Sequence, residues 1–118
     1  MKSPSVTVVT PAYNAAATIG DTIRSVLAQT LTDWEMLIVD NGSSDGTLDV
    51  ARTFHDPRIR CLAIAHTETP AAPRNRGIEE ASAPLVAFID ADDMWMPTFL
   101  ERELAVLQET GATLVHCT

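Results

Sequence analysis

The sequence predicts an α/β domain, a mostly parallel sheet of about five strands with helices on both faces. Apolar, strand-like runs alternate with helix-period segments along all 118 residues, the order that right-handed βαβ crossovers produce. Leu85-Val86-Ala87-Phe88-Ile89 is continuously apolar, as a strand covered on both faces must be. That run ends in Asp90-Ala91-Asp92-Asp93, and other polar clusters also follow strand carboxyl ends, where open α/β sheets bind ligands.

Taken in order, Ser5–Thr10 is β-branched and predicts a buried strand that Pro11 stops. Thr18 is placed to cap a helix whose apolar residues Ile19, Ile23, Val26 and Leu27 follow helical spacing. Trp34–Val39 predicts the second strand, ending in the turn cluster Asp40-Asn41-Gly42-Ser43-Ser44-Asp45-Gly46. Ser44 or Asp45 would cap a helix running to Phe54, with Leu48, Ala51 and Phe54 inward. Asp56-Pro57 breaks the chain before a third strand over 59–65, and His66–Pro73 reads as a polar loop. A short helix over 74–83 leads to the fourth strand, Leu85–Ile89. The next helix, 97–110, carries a core stripe of Leu100, Leu104 and Leu107, and Gly111 terminates it as the C′ residue. A fifth strand is expected over 112–117. No repeat or linker divides the chain, so residues 1–118 are one domain. The pattern leaves the strand order open.

Composition narrows the function classes. Hydrophobic residues make up 46% and charged residues 20%, ordinary globular values. A net charge of −8 opposes a nucleic-acid surface, which needs a basic face. An acidic protein that binds a phosphorylated ligand needs a metal or backbone amides to offset repulsion. No apolar run approaches the ~20 residues of a membrane span, and Met1-Lys2-Ser3-Pro4 is no signal peptide. Cys61 and Cys117 sit in apolar segments as reduced thiols, a profile that predicts a cytoplasmic location.

Four polar clusters carry the chemistry: Pro11-Ala12-Tyr13-Asn14, Asp40-Asn41, Arg74-Asn75-Arg76-Gly77 and Asp90–Asp93. Parallel strands would bring them to one rim, a nucleotide-sized site. Carboxylates crowded at a strand end repel unless a cation lies between them. A hard divalent ion such as Mg2+ takes oxygen ligands together with phosphate oxygens. Neither Gly-x-Gly-x-x-Gly nor the phosphate-loop motif is present, so phosphate binding through carboxylate and metal moves ahead of a glycine-rich turn. Blander roles stand beside these. Tyr13 is equally well a packing aromatic, Asp40 and Asn41 turn formers, and Arg74 a solvated first-turn arginine. Arg76 reads as a surface charge. His55, His66 and His116 lack metal-ligand spacing and read as structural or solvent-facing. Met94, Trp95 and Met96 are expected to pack under the acidic loop.

Several segments, in order, resemble the N-terminal part of family 2 glycosyltransferases with the GT-A fold. They are Val8–Asn14, Ser25-Val26-Leu27-Ala28-Gln29-Thr30, Val39–Thr47, Arg74-Asn75-Arg76-Gly77-Ile78 and Phe88–Trp95, in which Asp90-Ala91-Asp92 matches the Asp-x-Asp motif. The resemblance implies sugar transfer from a nucleotide-diphosphate-sugar donor to an acceptor that the sequence does not identify, with Mg2+ or Mn2+ and inversion. Pro11, Ala12, Tyr13, Asn14, Asp40 and Asn41 would line the nucleoside pocket. Arg74 would meet base or phosphate, Asp90 and Ala91 would face ribose and diphosphate, and Asp92 with Asp90 would hold the metal. A UDP-sugar is the default donor. Asn41 departs from the family's usual aspartate, and an amide donates as well as accepts, which opens the identity of the base.

In the family the general base comes from the later, acceptor-binding half, so it is expected beyond Thr118. Asp93 and Glu101 are near in sequence, and neither is assigned. The chain is therefore expected to hold a donor without completing transfer, with a non-catalytic nucleotide-binding module as the alternative. The inner membrane face is the alternative location for the parent enzyme. The resemblance also places an antiparallel strand from that later half beside Leu85–Ile89. Without it this edge is unpaired unless residues 112–117 cover it, and a homodimer through the edge is expected.

Overall fold

The β-branched run from Val6 forms the central strand of the sheet, β1 (Val6–Ala12). The computed structural model describes residues 4–69, 71–110 and 114–116. Along the chain follow α1 (Ile19–Leu27), β2 (Trp34–Asn41), α2 (Thr47–Arg52), β3 (Ile59–Ile64), α3 (Ala71–Glu80), β4 (Leu85–Phe88), α4 (Phe99–Thr110) and β5 (Leu114–His116). The sheet order is β3-β2-β1-β4-β5, with every pairing parallel. Chain progression therefore reverses direction at β1 and β4, the switch point where doubly wound sheets open a crevice.

Expected and observed elements agree in kind and differ at their ends. β1 does not stop at Pro11 but pairs through Pro11↔Val39 and Ala12↔Asp40. The ladder to β4 ends earlier, at Val9↔Phe88 with Ile89 N–H donating to the Val9 carbonyl. Backbone polar groups alternate sides along a strand, so Pro11 presents its missing N–H to the β4 side, where no ladder remains to need it. α3 starts at Ala71 rather than Arg74 because Pro73 is tolerated in a helix's first turn. α2 is a shorter helix than expected, and Gly46 at φ 86° stands at its N-cap. Asp45 serves the same end, accepting from Thr47 N–H at 3.1 Å. Thr18 occupies the N-cap of α1 without making a side-chain cap bond. The expected C′ residue Gly111 and Cys117 lie outside the described residues.

One face of the sheet buries Val6, Val8, Ala12, Met36, Ile38, Ala87 and Ile89 against Ile19, Ile23 and Val26 of α1, Ala51 of α2, and Trp95 and Leu100. α3 covers the other face. There Gly77 lies so close to β1 that an added Cβ would sit 2.3 Å from Val9 Cγ1.

β5 pairs with β4 through Val86↔Leu114, Ala87↔Val115 and Phe88↔His116. The β4 edge expected to be open is thus covered, and homodimerisation through it loses its structural premise. Cys61 is half-buried in the edge strand β3 rather than fully buried, and burial pushes its thiol pKa up. Among the described residues no helix is long and apolar enough to cross a membrane.

At the end of the sheet opposite the polar clusters, Glu35 joins three segments. Its carboxylate accepts from the Thr7 hydroxyl and from Ser82 N–H at 2.7 Å and Oγ at 2.8 Å. Burial raises its pKa, but these bonds and the Arg60 charge outweigh burial, and the net shift is downward. The folded state therefore holds the Glu35 proton less tightly than the unfolded chain. The stability this confers is present above the ordinary carboxyl value of 4.5 and is lost as pH falls through the lowered folded value. In urea unfolding, Glu35→Gln is expected to be less stable than the parent at pH 7. The gap should close as the pH falls through the lowered folded value; a gap independent of pH would contradict this.

Candidate functional site

The loops that leave β1, β2, β3 and β4 at their carboxyl ends enclose an open cleft of about 820 Å³ at the switch point. This is within the range of small-molecule sites. Pro11, Ala12, Tyr13, Asn14, Asn41, Asp90, Ala91 and Asp92 line it with Ala15, Thr18, His66, Thr67, Glu68, Thr69 and Pro73. Asp40 and Arg74 stand behind this lining. Asp40 is 4% exposed and turns Oδ2 to Ser43 N–H at 3.2 Å. Arg74 Nη2 lies 3.5 Å from Asp90 Oδ1.

Hydrogen bonds between the loops shape the walls. Asn14, at φ 49°, accepts from Ser44 N–H through Oδ1 at 2.9 Å, and its own N–H donates to Ser43 Oγ at 2.8 Å. Ala15 N–H donates to Thr47 Oγ1 and Ala16 N–H to Asp45 Oδ2. These bonds fasten the first loop to the second. Asn41 fastens the second to the third. Its Oδ1 accepts from Thr67 N–H at 2.8 Å and its Nδ2 donates to the Thr67 carbonyl at 3.0 Å. Gly42, at φ 70°, leaves the space that this requires, since a Cβ there would come within 2.8 Å of His66.

His66 is the residue that sequence reasoning missed. Its Nδ1 lies 3.0 Å from the Asn41 carbonyl oxygen, and its ring meets Tyr13 at 4.6 Å between centroids. The two rings form one wall of the cleft. The available signal was position, directly after a strand's carboxyl end, rather than metal-ligand spacing.

At the other side, one oxygen from each of Asp90, Asp92 and Asp93 lies within 4.8 Å of the others. Asp93 thus joins the pair that the sequence singled out. Partial burial first, then the Asp92 and Asp90 charges, raise the Asp93 carboxyl pKa. The neighbouring charges add to burial in the same direction, and a cation among the three would oppose both. Adjacent ligand oxygens on an octahedral Mg2+ stand about 2.9 Å apart, so the three carboxylates would have to rotate inward to close on such an ion. The donor set fits a hard divalent cation. Arg74 Nε, buried and without a hydrogen-bond partner among the described residues, adds an unspent donor behind Asp90.

Beneath the triad Trp95 is buried and stacks on Phe99 at 4.6 Å. Met94 and Met96 do not pack under the loop as expected; they alternate with Trp95 and are 68% and 76% exposed. Glu101 is occupied elsewhere, accepting from Thr30 Oγ1 at 2.8 Å. Arg76 pairs with Glu80 at the surface, as expected.

Comparison with known proteins gives a consistent picture. Residues 7–118 match the family model described as Glycosyl transferase family 2. The putative teichuronic acid biosynthesis glycosyltransferase TuaG of Bacillus subtilis is 42% identical over 108 residues, which cover 90% of this chain and 43% of TuaG. S. aureus TarS 1-349, solved in complex with UDP-GlcNAc, superposes with a TM-score of 0.85 at 25% identity, over 91% of this chain and 32% of that one. Mannosyltransferase PcManGT from Pyrobaculum calidifontis, in complex with GDP-Man and Mn2+, gives a TM-score of 0.73 at 27% identity, over 80% of this chain and 29% of its own. The chain thus spans less than half the length of these relatives.

Proposed function

This chain belongs to glycosyl transferase family 2, with the GT-A fold, and from that premise we propose that it forms the donor-binding part of an enzyme that transfers a sugar, with inversion, from a nucleoside-diphosphate sugar. The observation that carries the reading is the Asp90, Asp92 and Asp93 triad at the mouth of a nucleotide-sized cleft. Asp92 and Asp90 would hold Mg2+ or Mn2+, with Asp93 beside them. When bound, the cation would neutralise charge on the departing diphosphate.

The chain's own residues do the rest of the binding. Tyr13 and His66 offer aromatic faces for the base, and Pro11 and Ala12 shape the pocket floor. Asn41 and Asn14 act on the nucleoside through the walls they hold, since their side chains are engaged by Thr67 and Ser44. Asp40 supports the turn that carries Ser43. Arg74, cationic and next to Asp90, is placed to turn its guanidinium toward the diphosphate. No general base is assigned, because Glu101 is paired with Thr30 and Asp93 belongs to the cation cluster. The 118 residues by themselves are therefore expected to bind donor and not to transfer sugar.

Calorimetric titration of the chain with UDP, first with Mn2+ and then with EDTA, tests the reading, with GDP run in parallel. Binding heat that requires Mn2+ and favours UDP is expected. Equal heats with and without chelator would remove the cation from the site, and preference for GDP would reassign the base.

A further inference from the structure

We propose that the polar ridge of α1 and its flanks, Thr18, Thr22, Ser25 and Gln29, is a positioning device that holds the Asp90–Asp93 loop at cation-binding spacing. The proposal rests on the cation-assisted donor binding put forward above. These four residues recur at i, i+4, i+7 and i+11, one stripe of a 3.6-residue period. They run beside the apolar stripe Ile19, Ile23 and Val26, so the helix buries two faces of opposite character.

Each member of the ridge is bonded to the segment that leaves β4. Thr18 Oγ1 donates to the Ala91 carbonyl at 2.9 Å, and Thr22 Oγ1 to the Asp93 carbonyl at 2.7 Å. Ser25 Oγ accepts from Trp95 N–H at 3.2 Å. Gln29 Nε2 donates to the Met96 carbonyl at 2.8 Å, while its Oε1 accepts from Leu100 N–H at 3.0 Å in the first turn of α4. Thr22 and Gln29 are 0% and 4% exposed. Buried hydroxyl and amide groups are costly unless paired, so apolar side chains would have filled this face more simply. What the polar ones supply is direction.

The two threonine bonds grip the carbonyls of Ala91 and Asp93, on either side of Asp92. Thr18 holds the peptide that enters Asp92 and Thr22 the peptide that leaves Asp93. The peptide between them donates Asp93 N–H to the Asp90 carbonyl at 3.0 Å, so the backbone of the Asp92–Asp93 pair is fixed and with it the aim of both Cβ atoms. Three carboxylates that repel one another would otherwise spread, and the ridge opposes that spreading from beneath. A cation site held in this way is formed before the ion arrives. Such supporting bonds commonly change metal affinity about 10- to 100-fold when removed.

Thr22→Val keeps the shape of the side chain and removes the hydroxyl, while Thr22→Ser keeps the hydroxyl. Three quantities separate positioning from general stability: Mn2+ affinity by electron paramagnetic resonance of the free ion in the presence of UDP, amide hydrogen exchange across 91–95, and urea unfolding. Thr22→Val is expected to weaken Mn2+ binding about tenfold and to speed exchange in the loop. Thr22→Ser should stay within about twofold of the parent in both. If Thr22→Val binds Mn2+ and exchanges as the parent does, or if Thr22→Ser fails equally, the proposal is overturned. Should Thr22→Val not fold, Ser25→Ala, which strips the acceptor from Trp95 N–H, must give the same direction of change. A parent chain that binds no Mn2+ would instead overturn the proposed cation-assisted binding. The ridge is then decided by exchange alone: protection lost in Thr22→Val and kept in Thr22→Ser supports it, and equal protection overturns it.

Discussion

Asp92→Asn is expected to lower Mn2+-dependent affinity for UDP by about 100-fold, roughly 2.7 kcal/mol, without destabilising the fold. The two effects separate because of where the residue sits. Asp92 is exposed at the cleft, and the positions of Asp90 and Asp93 keep their carboxyl oxygens within 4.8 Å of its own. Without a cation three carboxylates at this spacing repel one another. Removing one charge relieves repulsion in the ion-free protein while it deletes a ligand from the site. Thermal unfolding without metal should therefore be unchanged or slightly higher, while calorimetry with Mn2+ and UDP shows the loss. Unaltered affinity would remove Asp92 from the cation site. A large fall in thermal midpoint would mean that the residue is structural.

Gly77→Ala is expected to destabilise the chain by about 1–3 kcal/mol, the usual cost of overpacking a filled core. The added methyl would stand 2.3 Å from Val9 Cγ1, and Val9 is fully buried in the central strand with a stiff, β-branched side chain. Neither partner can swing away, so α3 must lift from β1. That lift carries Arg74 away from Asp90, and UDP affinity should fall together with stability. A double-mutant cycle isolates the contact: adding Val9→Ala should recover part of the loss, although it costs stability on its own. Strict additivity of the two changes would show that the clash is absorbed elsewhere.

Much of this was legible in the sequence because the dominant signals are local. Val6–Thr10 and Leu85–Phe88 could hardly be anything but buried strands. The Asp90–Asp93 cluster announced itself by placing charge where a strand should end. Pro11 misled because its effect depends on which side of the strand still carries a ladder, and only the earlier end of β4 settles that. Met94 and Met96 misled for a related reason. Both are apolar, but they alternate with Trp95, and a single ring under the loop leaves no room for neighbours on the same side. His66 and the Thr18–Gln29 ridge escaped notice because their roles are relational. A threonine in a helix gives no hint of whose carbonyl it will meet about 70 residues later. The polar recurrence at 18, 22, 25 and 29 was visible as a pattern, but a second buried stripe has meaning only once a loop is seen to lie on it.

The reciprocal bonds between Asn41 and Thr67 bear on the speed of the proposed donor capture. An aspartate there could accept from Thr67 N–H but could not donate to the Thr67 carbonyl, and the side chain would tie the Thr67 backbone by one bond rather than two. With the amide in place, the wall that carries His66 is set before any nucleotide arrives. Little conformational freedom then remains to be surrendered on binding. Association need not wait for a loop to order, so variation in affinity among related donors would fall mainly on how long each one stays.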